Sequence, residues 1–276
     1  MRINHNVPSI ITQGALALNN RALGKDLEKL STGLRINKAS DDAAGLAVSE
    51  GLRTQIRGVE QAKKNALDGI SALTIAEGAM NEIHAILQRQ RELAVQSSTA
   101  TYTSIERGYM NVEYQNLSAE IDRIISVTNF NKIGLLGSSD FENIFTNATP
   151  DYLQVDANAS NANLIAVHYA SVDVPSLGDI SATVTAQDAI LAIDAAIQLV
   201  STSRADIGAI INRLESTVNN LTVSSANQTF AESQLRDVDF AFQSSQFTKN
   251  QILMQSATAM LSQANSVPQS VLSLLQ

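Results

Sequence analysis

The stretch LRTQIRGVEQAKKNALDGISALTIAEGAMNEIHAILQRQRELA, residues 52–94, carries an apolar residue at every seventh position: Leu52, Val59, Ala66, Leu73, Met80, Leu87 and Ala94. A stripe that repeats about every 3.5 residues marks the buried seam of helices wound around one another. The pattern recurs near the other end in alternating steps of three and four. It passes through Ile190, Ile193, Ile197, Val200, Ile207, Ile211, Leu214, Val218 and Leu221, with Arg204 as a polar break. Two long seams, one in each half, cover each other if the chain folds back on itself. The expected fold class is mainly α: an elongated antiparallel helical bundle or coiled coil, with a small β-hairpin region in the middle of the chain. Leu52, Val59, Leu73, Met80 and Leu87 form the core seam from one half, and Ile193, Ile197, Ile207, Ile211 and Leu214 from the other. A rod of this kind is a building block before it is an enzyme.

Composition agrees. Apolar residues make up 44% of the chain, but aromatics only 4%, and there is no Trp. Thick globular cores lean on large rings; a thin helical core is filled by Leu, Ile, Val and Ala. The formal charge is −8 and no basic stripe is present, which argues against nucleic acid as a partner. Cysteine is absent, so no disulfide or thiolate metal site exists and packing must supply the stability. The N-terminus MRINHNVPSI has no cationic run leading into an apolar core, so no secretory signal peptide is expected. No run of about 20 apolar residues suggests membrane insertion.

Along the chain, residues 3–34 read as an amphipathic helix with Leu16, Leu23, Leu27, Leu30 and Leu34 on one side, interrupted at Gly33. Ser40-Asp41-Asp42 supplies an N-cap and first-turn carboxylates for a second helix running to about residue 98, on the order of 80 Å long. Within it Gly51, Gly58, Gly69 and Gly78 weaken the helix locally, and they read either as points of close approach by neighbours or as glycines the helix simply tolerates. Thr103-x-x-Glu106 forms a capping box for a helix from about 105 to 128, whose apolar face carries Leu117, Ile121 and Ile124. Residues 130–184 turn to Asn, Ser, Thr and Gly, with β-type runs at 152–155 and 164–169. Thr185-x-x-Asp188 then caps the helix bearing the second seam. The last 27 residues, Asn250 to Gln276, contain no charged side chain, and residues 6–20 contain none either. The plain reading of the C-terminal stretch is a frayed terminal helix; the sharper one, since burial of a charge is expensive, is that both ends suit the interior of an assembly.

Reactive constellations are missing. His5, His84 and His168 lie in three segments without ligand spacing, and there is no zinc-protease, P-loop or dinucleotide motif. No catalytic, cofactor-binding or metal residue is assigned, and no cofactor is expected.

Both ends resemble bacterial flagellin. The N-terminal likeness lies in Lys29-Leu30-Ser31-Thr32-Gly33-Leu34-Arg35-Ile36-Asn37, in Asp41-Asp42-Ala43-Ala44-Gly45-Leu46-Ala47, and in the run from Leu87 to Gln96. The C-terminal likeness lies in Asn212-Arg213-Leu214, Ala231-Glu232-Ser233, Arg236-Asp237-Val238-Asp239, and Gln263-Ala264-Asn265 through Leu275. It spans roughly residues 1–140 and 185–276, leaving about 50 central residues, too few for the outer domains of larger flagellins. The resemblance implies a short flagellin: a non-enzymatic structural subunit that polymerises into the flagellar filament used for motility. It implies filament-core helices at 1–43 and 236–276 around a 44–235 rod, with the hairpin segment at about 130–184. Also implied are type III export, secretion to an external flagellum (or a periplasmic one in a spirochaete), and an export chaperone, a filament cap and hook-junction proteins as partners. Arg89, Leu93 and Glu113 match family positions that contact the vertebrate toll-like receptor for flagellin, with Arg89 central and Leu93 as apolar anchor. Gln90 stands where Val is frequent. The competing readings are a hook–filament junction protein and, from another class, a signalling coiled coil, which would need a transmembrane segment or sensor domain.

Overall fold

A computed structural model describes residues 6–136, 151–158, 164–167 and 178–274. Its elements are α1 (Val7–Thr32), α2 (Ala43–Ser97), α3 (Ser104–Val127), β1 (Asn129–Phe130), β2 (Ile133–Gly134), β3 (Asp151–Gln154), β4 (Leu164–Val167), α4 (Thr183–Arg236) and α5 (Phe240–Leu274). The fold is mainly α, as the periodicity predicts. The chain divides into two compact units, one of Met1–Gln55 with Ala226–Gln276, the other of Ile56–Ser225.

In the central unit α2 and α4 run antiparallel. Arg91 forms a two-pronged ion pair with Asp194 at 2.6 and 3.3 Å, Arg204 reaches Glu77 at 3.5 Å, and the Leu214 side chain lies 3.6 Å from the place of a Cβ on Gly69. Val59, Ala66, Leu73, Met80, Leu87 and Ala94 are all buried, and Leu52, in the other unit, is half-buried. A second buried row lies between them: Ala62, Gly69, Ala76, Ile83, Gln90 and Ser97. Its members are mostly small or polar, so an apolar count passes over them. On α4 the row at Ile193, Val200, Ile207, Leu214 and Leu221 is buried. Its companion row is Ala189, Ala196 and Ser203, not the larger Ile190, Ile197 and Arg204; Ile190, Ile197 and Ile211 pack half-buried on its flank. Large side chains at the flank reach over the edge of the seam, and small ones fill its centre. α4 is also the one described helix long and apolar enough, by length and composition, to cross a membrane, a qualification of the sequence reading. Part of that apolar composition is its buried row, which belongs to the protein core, though only 28% of the window is buried.

Helix ends follow local chemistry, with two shifts from expectation. Thr103 and Glu106 close a reciprocal capping box at α3. At α2 the cap is Asp42, whose Oδ1 accepts the Gly45 N–H at 2.8 Å, while Asp41 turns back to accept the N–H groups of Asn37 and Lys38. Two adjacent carboxylates thereby serve the turn and the helix separately, and Ser40 serves neither. At α4 the helix begins two residues before Thr185, whose Oγ1 instead accepts the Ala182 N–H from inside the first turn.

α3 folds back along α2, where the Gln90 amide donates to the Tyr114 carbonyl at 3.2 Å. A short hairpin with no counterpart in the expected elements follows, β1 pairing with β2 through Asn131 and Lys132, with φ of 51° and 69°. Positive φ at both central residues is the two-residue turn whose twist suits paired strands, and Asn is among the residues that tolerate it. The expected hairpin is present as β3 antiparallel to β4, with Leu153 opposite Ile165. It explains two of the four glycines. A Cβ on Gly58 would stand 2.6 Å from Ala157 Cβ, and one on Gly69 would stand 2.7 Å from Leu153 Cδ1. Gly51 and Gly78 have nothing within 4 Å, so close approach does not account for them.

Candidate self-assembly surface

The terminal unit is built differently from a folded core. α1 starts at Asn6, whose side chain accepts the Ser9 N–H, and ends at Gly33, whose φ of 71° provides a left-handed C-cap. None of its 26 residues is buried. α5 lies antiparallel to it: Asn6 donates to the Ala264 carbonyl, Ser9 to Asn265, and Asp26 accepts from Gln243 and Asn250. Ser9, Thr12, Leu16, Asn19, Leu23, Asp26 and Leu30 form the half-covered stripe on α1, spaced by three and four. Gln243, Phe247, Asn250, Met254, Ala257, Leu261 and Ala264 form its counterpart on α5. This corrects the expected apolar face of α1, because Leu27 falls off the stripe and is exposed.

The outer surface is apolar instead. Ile10, Ile11 and Leu18 on α1 are 62%, 66% and 64% exposed, and Ile252 and Met260 on α5 are 57% and 59% exposed. In the antiparallel register set by Asn6 on Ala264, Ile10 stands level with Met260 and Leu18 with Ile252, so both helices expose apolar side chains along the same length of the pair. Residues 6–20 and 250–276 carry no charge, so covering this surface strands no ion in an apolar environment. Exposed apolar area of this extent, free of charge, marks a site of association.

Two helix breaks meet beside the pair, after α1 and after α4. Leu34 and Asp237 form an antiparallel bridge, with the Arg35 N–H on the Arg236 carbonyl at 2.6 Å and the Val238 N–H on the Gly33 carbonyl at 3.0 Å. Arg236, whose side chain is mostly covered, donates to Glu50 at 2.7 Å, and this hydrogen bond holds the Glu50 carboxyl below its ordinary range, with Arg53 adding to the effect. Ile36 is buried at the same connector.

The other residues singled out from sequence lie in the central unit. Arg89 pairs with Glu113 at 2.9 Å and with Glu92 at 3.0 Å, both partners raising its pKa further, Glu113 foremost. Leu93 is only 2% exposed and belongs to the core cluster. It is therefore not the exposed anchor that the resemblance implies. α3 runs beside this stretch of α2, tied to it by Arg89–Glu113 and Gln90–Tyr114, and Leu93 is buried next to the regular seam residue Ala94. Gln90 is buried, and burial pushes the neighbouring Tyr114 phenol up to about 12. His84 lies beside Gln88, with ring and amide nitrogens 2.9 Å apart, while His5 and His168 fall outside the described residues. Among the described residues no group of three His, Cys, Asp or Glu is placed to hold a metal ion.

These features define a helical assembly subunit: a packed central unit, and terminal helices whose apolar surface stays exposed among the described residues. The comparisons with known proteins place it further. Residues 3–140 match the bacterial flagellin N-terminal helical region, and residues 190–275 match the bacterial flagellin C-terminal helical region. The chain is 45% identical to a flagellin of Halalkalibacterium halodurans and 44% identical to a flagellar filament 33 kDa core protein of Treponema phagedenis, each alignment covering 100% of both chains. A crystal structure of Bacillus cereus flagellin is 27% identical over 61% of this chain and 94% of that one, with a TM-score of 0.49. The chain belongs to the bacterial flagellin family, in a short form without the outer variable domains, and is a structural subunit of the flagellar filament. Full-length identity at this level to filament proteins separates it from the hook-junction and signalling alternatives.

Proposed function

We propose that the α1/α5 pair is the polymerising element, with 1–43 and 236–276 forming the inner tube of the filament and 44–235 the surrounding rod. The observation that carries this reading is the charge-free apolar surface of a helix pair that buries almost nothing within its own subunit. An amphipathic helix without its packing surface is only marginally stable, so the ends are protease-sensitive in the monomer and protected in the filament. Export through the flagellar type III channel, aided by a chaperone, delivers the chain to a filament cap and hook-junction proteins outside the cell or in the periplasm. No catalytic role is assigned. The test is seeded polymerisation followed by electron microscopy of the full chain and of a chain trimmed to residues 45–235. Filaments from the full chain alone support the reading, and filaments from the trimmed chain refute it.

Recognition by the vertebrate flagellin receptor is a second reading, supported by the exposed Arg89–Glu113 pair, whose side chains are 50% and 48% accessible. Leu93 supports the helix from within. A receptor reporter assay separates the outcomes: an Arg89→Ala monomer signals less than wild type, and equal signals exclude the pair.

A further inference from the structure

We infer that Asp26 is the residue that selects the register of the terminal helix pair. The apolar members of the pair cannot do so alone. Leu16, Leu23 and Leu30 on α1, and Phe247, Met254 and Leu261 on α5, each recur every seven residues. Sliding one helix past the other by a heptad therefore returns large apolar side chains to large apolar side chains. A polar residue at one seam position is the device by which coiled coils break this degeneracy.

Asp26 sits in that seam with both oxygens engaged by different residues of α5. Gln243 Nε2 donates to Oδ1 at 2.6 Å, and Asn250 Nδ2 donates to Oδ2 at 2.6 Å. Gln243 is 6% exposed and is the only α5 side chain among the described residues to be buried. The two donors stand one heptad apart and bracket Asp26 from either side along α5. Sliding α5 by seven residues one way leaves Asp26 between Asn250 and Ala257; sliding it the other way leaves it beside Gln243 and beyond the start of α5. Either slip strips one oxygen of its donor in a half-buried position, and hydrogen bonds to a charged acceptor are the strong class.

Register matters because it sets which exposed residues of the two helices stand at the same level. Only the observed register sets Ile10 level with Met260 and Leu18 level with Ile252; a slip of seven sets Leu18 against Ala259 or Ser245. The choice made by Asp26 thus determines which apolar surface a second copy of the chain meets. The inference rests on the proposed assembly role of α1/α5, but its readout is register itself and not polymer yield.

The absence of cysteine makes the test clean. In filaments seeded from the full chain, the pair Ser9→Cys with Asn265→Cys reports the observed register, since Ser9 Oγ and Asn265 Oδ1 are 2.9 Å apart. Ser9→Cys with Thr258→Cys, and Leu16→Cys with Asn265→Cys, report slips of seven in the two directions. With Asp26 intact, the first pair cross-links and the other two do not. Asp26→Leu is expected to lower the ratio of native to slipped cross-links at least about tenfold, the size of one charge-assisted hydrogen bond. Asp26→Asn, which keeps one acceptor oxygen, falls between the two. A variant that does not polymerise is read as monomer against wild-type monomer under the same oxidation. An unchanged ratio in Asp26→Leu overturns the inference and assigns register to the Leu34–Asp237 bridge. Loss of every cross-link at wild-type helix content, by circular dichroism, overturns it too, because Asp26 would then be needed for pairing as such.

Discussion

Gly58 and Gly78 occupy the same helix of the same unit, yet adding one methyl group to each is expected to act in opposite directions. Replacing either glycine by alanine removes backbone freedom from the unfolded chain, worth about 1 kcal/mol in a helix interior. At Gly78 nothing lies within 4 Å of the new methyl, so the gain is kept whole. At Gly58 the methyl would stand 2.6 Å from Ala157 Cβ and 3.2 Å from Ala157 Cα. Neither atom belongs to a flexible side chain, so the backbone beyond β3 must move, and overpacking of this kind costs about 1–3 kcal/mol. The two variants should differ by that amount, with Gly78→Ala above wild type. Gly69→Ala belongs between them, because the atom it meets at 2.7 Å is the far end of the Leu153 side chain, which can rotate away. For a domain of this size a kilocalorie corresponds to roughly 2–4 °C in melting temperature. Circular dichroism melts of the three monomers should therefore order as Gly78→Ala, Gly69→Ala, Gly58→Ala from most to least stable. If Gly58→Ala melts at or above Gly78→Ala, the hairpin does not rest on α2 at Ala157 and the reasoning fails.

Leu214, fully buried in the central seam, should not tolerate Leu214→Asp: the loss exceeds the roughly 2–5 kcal/mol of a Leu→Ala cavity because an unpaired carboxylate is buried as well. Val223→Asp, on the exposed side of the same helix, should stay within about 0.5 kcal/mol of wild type in the same urea titration. Thr103→Ala removes the α3 capping box and should cost about 1 kcal/mol, read from the midpoint of denaturant unfolding. Glu50 is held below its ordinary value of 4.5, mainly by its hydrogen bond from Arg236, so the unfolded chain binds the proton more readily than the folded one. Its contribution is therefore present above 4.5 and lost as pH falls through the depressed folded value; the stability gap between wild type and Glu50→Gln should narrow across that window in melts taken from pH 7 to pH 3.

Much of this architecture is legible before any coordinates. A heptad is a property of one helix, so the rows from Val59 to Ala94 and from Ile193 to Leu221 announce themselves without a partner being known. The Thr103–Glu106 box and the left-handed cap at Gly33 are equally local, since every group they need lies within a turn or two. The charge-free ends are a matter of composition. What sequence could not settle is which neighbour covers a given side. Leu93 reads as an apolar anchor on an isolated helix, and in the folded unit it is buried in the core cluster. Ile190 and Ile197 outrank Ala189 and Ala196 by apolarity, yet the small residues occupy the centre of the seam, because occupancy there depends on the shape of the facing helices and not on transfer energy. Gly58 and Gly69 carry the same one-letter code as Gly51 and Gly78, and only the hairpin laid across α2 separates them. Asp26 reads as one more polar residue in a water-facing helix until Gln243 and Asn250, more than two hundred residues away in sequence, arrive on its two oxygens. Period, caps and charge are written along the chain because their energies act over a few residues; pairing across the seam is decided by contacts that exist only once distant segments have met.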